Sequence, residues 1–135
     1  SSLELGEWMQ SRGYEPDQVL CSTAQRTRET WIHVAAAPLE IIPQLEFSDA
    51  LYHASPDVML SLLQRATGDT VMMIGHNPGI AEFARRLCAR APNHPDFSRY
   101  PTAATLVADF QVDSWAKITA GTASVLDFFV PSGRD

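Results

Sequence analysis

Apolar positions along the chain follow two rhythms. Val19–Cys21 and Val71–Ile74 are short unbroken apolar runs, the kind that fill strands buried on both faces of a parallel sheet. Around them, apolar residues recur at helical spacing. Leu3, Leu5, Trp8 and Met9 give a partial face over Leu3–Ser11, with Gly13 as a stop, and read as the second half of a helix whose start lies upstream. Ser22 followed by Gln25 matches a capping box and predicts a helix from Thr23 to Ala36, ending before Pro38. Glu40–Ile42 reads as a short strand, and Pro43–Ser55 as a loop that Leu45, Phe47, Leu51 and Tyr52 pack down. Ser55-Pro56-Asp57 caps a further helix, in which Val58, Met59, Leu62, Leu63 and Ala66 share a face. Thr67-Gly68-Asp69 turns into the Val71–Ile74 strand.

Gly75 ends that strand. Asn77 then reads as an N-cap and Pro78 as the first helical residue. Ile80, Phe83, Ala84, Leu87 and Cys88 recur at i, i+3, i+4, i+7 and i+8, which predicts an amphipathic helix over Pro78–Arg90. After a proline-containing loop, Ala91–Pro101, the rhythm changes again. Thr102–Phe110, Trp115–Thr119 and Ala123–Phe129 are strand-like. Alternating strands and helices followed by a β-rich tail predict an α/β fold: a three-layer α/β/α sandwich with a mostly parallel sheet and an antiparallel edge.

Composition narrows this picture. The 135 residues, 45% hydrophobic, fit one domain with a sizeable core. No apolar run approaches the roughly 20 residues of a membrane span. A net charge of −6 argues against general binding to nucleic acid or anionic membranes. Lys117 is the lone lysine among the basic residues, so an anion site here is built from arginine, the better bidentate partner. Cys21 and Cys88 sit in apolar surroundings at a spacing that fits neither a disulfide framework nor a metal cluster, and read as reduced core residues of a cytoplasmic protein. The chain has no initiator Met, and its first residues look like the interior of a helix.

The candidate chemistry gathers at two strand–helix junctions. His76 stands at the carboxyl end of one strand and just before a helix N-terminus, where open α/β sheets bind ligands and where helix N–H groups favour an anion. A surface-loop histidine backed by an ordinary turn is the other reading of this stretch. Arg26 falls in the first turn of the second helix, at the same rim of the sheet, where a guanidinium can clamp phosphate or simply be solvated. Thr30 shares its face one turn on. Arg28 reads as paired with a carboxylate on the helix surface, and Ser22 as a cap rather than a nucleophile. His53, in LYHAS, reads as a surface-loop histidine, and His33 and His94 read as bystanders. No HExxH, CxxC pair, P-loop or GxGxxG occurs, so neither a metal nor a cofactor is implied.

CSTAQRTRETW (21–31), followed some 40 residues later by VMMIGHNPGI (71–80), resembles the histidine phosphatase superfamily, the phosphoglycerate mutase-like phosphatases. GHNPG, the LYHAS loop, PTAATLVADF and the closing W-x-I…FFVP segment look most like the short bacterial SixA-type phosphohistidine phosphatases. The resemblance covers essentially the whole chain. It implies a phosphoryl transfer through a phosphohistidine, with Arg26, His76 and Asn77 at the phosphate and with His76 as a charge stabiliser. Its substrate would be a phosphorylated protein or a small phosphomonoester. The family's nucleophilic histidine lies in an Arg-His-Gly or Arg-His-Ala motif at the end of the first strand, and no Arg-His dipeptide occurs in this sequence. The resemblance therefore implies an N-terminal strand upstream of Ser1, central in the sheet, whose absence leaves a gap. Glu46 and Asp49 are candidates for the general acid by position only. A catalytically inactive phosphate- or partner-binding domain on the same fold is the alternative. A nucleotide-binding flavodoxin-like module fits less well, given the antiparallel tail and the lack of a Gly-rich loop.

Overall fold

A computed structural model describes residues 1–132. Helix α1 (Ser2–Arg12) starts where Ser1 accepts from the Glu4 N–H and the Glu4 carboxylate returns to the Ser1 backbone. The helix therefore starts at its Ser1 cap and is not the second half of a longer one, as the apolar pattern suggested, because the capping box satisfies its first N–H groups. Gly13, at φ 74, closes the helix in the left-handed conformation. Strand β1 (Gln18–Ser22) leads to α2 (Gln25–Ala35), β2 (Gln44–Ser48), α3 (Pro56–Gln64), β3 (Val71–Ile74), α4 (Gly79–Leu87), and the tail strands β4 (Thr105–Asp109) and β5 (Ser124–Phe129).

The architecture is the expected α/β/α sandwich. β1 is the middle of a three-stranded parallel sheet, ordered β2-β1-β3, and all five of its residues are buried. Its alternating side chains serve two cores. Val19 and Cys21 pack with Leu5, Met9, Trp31 and Val34 under α1 and α2. Leu20 packs with Leu51, Met59, Leu63, Phe83 and Leu87 under α3 and α4. β4 and β5 form a separate antiparallel pair, joined to the rest through a third cluster of Ala84, Cys88, Phe97 and Tyr100. Among the described residues, β3 pairs only with β1 and β4 only with β5, so each keeps one unpaired edge.

Three elements differ from expectation. Glu40–Ile42 is a loop, and the strand falls later, at β2. The Glu15 carboxylate accepts from the Glu40 and Ile41 N–H groups, which takes those donors away from a ladder. Leu45 and Phe47, expected to pack a loop down, instead sit exposed on an edge strand. Trp115–Thr119 is not a strand: Trp115–Lys117 forms a 3-10 turn, and the indole Nε1 donates to the Gly68 carbonyl at 2.6 Å. α4 ends at Leu87 rather than Arg90, because Cys88 and Ala89 are drawn onto Ala123 by a parallel bridge and a 2.9 Å backbone bond. Among the described residues, no helix is long and apolar enough to cross a membrane.

Met59 is fully buried between α3 and the β3–α4 junction, whereas Ile42 is 93% exposed. Met59→Ala is expected to destabilise the fold by about 2–5 kcal/mol through lost contacts and a cavity. Ile42→Ala is expected to stay within about 0.5 kcal/mol of the parent. Denaturant midpoints of the two variants check this contrast.

Candidate functional site

Two strand ends meet at the site. In the parallel register, Cys21 lies opposite Ile74, so Ser22 and His76 leave the sheet side by side. His76 Nε2 lies 2.7 Å from Ser22 Oγ. Ser22 is fully buried, and its oxygen also accepts from the Ala24 N–H. It is thus a strand-end residue rather than the cap of α2, whose N-cap is Ala24 with no side-chain bond. With the Ser22 hydroxyl as donor, its hydrogen finds His76 Nε2 as acceptor. Were Nε2 itself to donate, a buried O–H would lose its partner. This network assigns the neutral ring proton to Nδ1.

The β1–α2 junction is fixed by Thr27, whose hydroxyl donates to the carbonyls of Ser22 and Ala24, both at 2.9 Å. Arg26 follows in the first turn of α2 with its side chain exposed, and no ion-pair partner for it stands among the described residues. Arg28 differs from expectation: it makes no carboxylate pair among those residues, donates to the Thr23 carbonyl at 2.7 Å and lies over the Phe47 ring at 4.3 Å. Thr30 donates to the Arg26 backbone carbonyl and so steadies the helix turn rather than the guanidinium.

Asn77 is not the expected N-cap. α4 begins at Gly79 after a cis Asn77-Pro78 bond, and the Ile80 N–H reaches back to the His76 carbonyl at 2.8 Å. The Asn77 amide donates to the Tyr100 carbonyl at 2.8 Å, tying the junction to the proline-containing loop. One hydrogen of that amide remains. Arg26, Thr30, His76 and Asn77 all line one cavity of about 1010 Å³. The unpaired edges of β3 and β4 line the same cavity, as a slot leading to these groups.

The other expected residues fall elsewhere. Glu46 accepts from Gln18 and Gln44, and Asp49 accepts from Thr23; neither lines the cavity. His33 meets Ser2 on α1, and His94 accepts from the Asp96 N–H and packs on Phe128. His53 is the surprise. Its ring centroid is 6.1 Å from that of His76, and Tyr52 touches both rings. The sequence signal was present in the LYHAS match, but only the fold shows that this loop returns to His76. Among the described residues, no group of three His, Cys, Asp or Glu side chains is arranged to hold a metal ion.

No family model matches the chain. Uncharacterized proteins of Mycobacterium leprae and Mycobacterium tuberculosis are 26% and 28% identical to it over 132 and 134 residues. Each alignment covers 93% of this chain, and 78% and 80% of those proteins respectively. Among solved structures, a protein assigned as the phosphohistidine phosphatase SixA of Agrobacterium tumefaciens superposes with a TM-score of 0.73 at 25% identity, over 96% of this chain and 77% of that one. The corresponding protein of Nakamurella multipartitia gives 0.78 at 24%, over 97% and 80%. A protein histidine phosphatase SixA complexed with tungstate gives 0.72 at 19%, over 94% and 76%. The architecture is that of the phosphoglycerate mutase-like histidine phosphatases. Within them, the fold is similar to that of the SixA proteins.

Burial first, and the charge of His53 second, push the His76 pKa below the ordinary 6.5. A histidine depressed in the folded state binds its proton more readily unfolded. Its contribution to stability is therefore present above pH 6.5 and is lost as the pH falls below it. NMR titration is expected to place the His76 midpoint below 6.5. At high pH its ring nitrogens should show the Nδ1–H tautomer, changing to a mixture in Ser22→Ala. A midpoint above 6.5 would contradict this placement.

Proposed function

We propose that this chain forms the phosphate-binding body of a SixA-like phosphatase that hydrolyses a phosphohistidine in a protein, or a small phosphomonoester, in the cytoplasm. The nucleophile is a histidine carried by a strand that fills the slot between β3 and β4. The observation that carries this reading is the slot itself: two free strand edges line one cavity, and Arg26 and His76 line that same cavity. A parallel strand inserted there would satisfy both edges and deliver its carboxyl end to the rim where Ser22 and His76 leave the sheet.

In this reading the strand's histidine attacks phosphorus, and the phosphoryl group moves to its nitrogen as the leaving group departs. Water then attacks the phosphohistidine and restores the nucleophile. Charge on the phosphoryl oxygens is the main load on the rest of the site. Arg26 supplies a planar guanidinium with no competing carboxylate among the described residues. His76 donates from Nδ1 because Ser22 occupies Nε2. Asn77 offers its remaining amide hydrogen, and the first turn of α4 adds its N–H dipoles. The free thiols Cys21 and Cys88, both buried, agree with a reducing compartment. The second reading, an inactive phosphate- or partner-binding domain, is favoured by one observation, the lack of an Arg-His dipeptide.

Assaying this chain beside an N-terminally extended gene product, on p-nitrophenyl phosphate and on a phosphohistidine substrate, separates the readings. The extended protein is expected to turn over both substrates and the shorter chain neither. Arg26→Ala in the extended protein is expected to lower kcat/KM by about 10²–10³-fold. Comparable turnover by the shorter chain, abolished in His76→Ala, would make His76 the nucleophile. Phosphate binding without turnover by the extended protein would favour the inactive domain.

A further inference from the structure

The loop after β2 carries a histidine that the family resemblance leaves without a role. Leu51, fully buried, anchors the loop on one side of His53. On the other side, Ser55 caps α3 by accepting from the Val58 N–H. Between these anchors His53 is held at φ 55, a left-handed conformation that a residue with a side chain rarely adopts. The loop also presses on the β3–α4 junction: a Cβ at Gly79 would come within 2.3 Å of the Ala54 carbonyl oxygen. Glycine at 79 is thus what lets the loop approach the turn that carries His76.

This placement brings three rings together. Tyr52 meets His53 edge-on at 4.5 Å and His76 at 5.5 Å, and the two imidazoles stand 6.1 Å apart at 33°. At that separation the imidazoles do not bond to each other. One phosphoryl group can bridge them, because each hydrogen bond spans roughly 2.7–3.0 Å. His53 is exposed and stands beside His76 at the edge of the site, outside the residues that line the cavity. Of the nearby carboxylates, Glu46 and Asp49 are taken up by Gln18, Gln44 and Thr23, and Asp57 faces Arg86 at 3.6 Å. Neither Glu46 nor Asp49 stands against the His76 ring, whereas the His53 imidazole does.

We propose that His53 is the general acid of this site, protonating the leaving group as the bond to phosphorus breaks. The inference rests on the phosphoryl-transfer reading above. In the step, the strand's histidine nitrogen forms a bond to phosphorus and the P–O or P–N bond of the substrate breaks. The bonding pair goes to the departing oxygen or nitrogen, which takes the proton from the His53 imidazolium. His53, now neutral, accepts a proton from the water that attacks the phosphohistidine, and the cycle closes with no net change in the enzyme. His76 is less suited to this part. Its Nε2 is held by Ser22, and burial disfavours its charged form.

The test uses the extended gene product and substrates that differ in their need for an acid. p-Nitrophenyl phosphate has a leaving group that departs without protonation, while phenyl phosphate and β-glycerophosphate do not. His53→Gln is expected to keep kcat/KM on p-nitrophenyl phosphate within a few-fold. On the two poorer leaving groups it should lose about 10²-fold or more. His53→Asn, which tolerates the left-handed backbone, is expected to give the same split and guards against misfolding. Equal losses on all three substrates would overturn the proposal and make His53 a binding or structural residue, as would no loss on any. An unmodified extended protein inactive on every substrate would instead refute the phosphatase reading on which the proposal stands.

Discussion

The pairing of β1 with β3 is the constraint on which the site depends. β1 is buried on both faces, so the register cannot slip without moving Val19 and Cys21 out of one core and Leu20 out of the other. That register brings Ser22 and His76 together at the carboxyl ends of the two strands, where the 2.7 Å contact fixes the ring and its tautomer. Arg26 follows from the same constraint, since Thr27 locks the start of α2 onto the end of β1.

Much of this was legible in the sequence, for a physical reason. VLC and VMMI are unbroken apolar runs, and only strands covered on both faces need such runs. The capping serine at 55 and the stop at Gly13 follow from local hydrogen bonding and backbone freedom, which the sequence states directly. What was misread depended on contacts distant in the chain. Ser22 and Gln25 satisfy the pattern of a capping box, yet Ser22 Oγ is drawn to His76, 54 residues away. Glu15 claims the donors of Glu40 and Ile41 from 25 and 26 residues away, so the strand moves to Gln44–Ser48. Asn77 looks like a cap, but its amide finds Tyr100. A side chain with two possible partners is decided by the fold rather than by its neighbours.

His53 shows the same limit for function. Its LYHAS setting marks the loop but not its contact with His76, while His33 and His94 serve a helix contact and a turn. It differs because its loop is anchored at both ends and pressed against Gly79. The slot between β3 and β4 likewise has no local signature. It arises because, among the described residues, two sheets present free edges to one cavity, and its lining connects those edges to Arg26 and His76 at the rim.

A crystal structure of the N-terminally extended protein with tungstate tests the central claim most directly. The account predicts an additional strand bonded to both β3 and β4. It also predicts the oxyanion within hydrogen-bond distance, roughly 2.7–3.2 Å, of the Arg26 guanidinium and the His76 ring. A structure in which β3 and β4 keep their free edges, or in which the oxyanion binds away from Arg26 and His76, would contradict it.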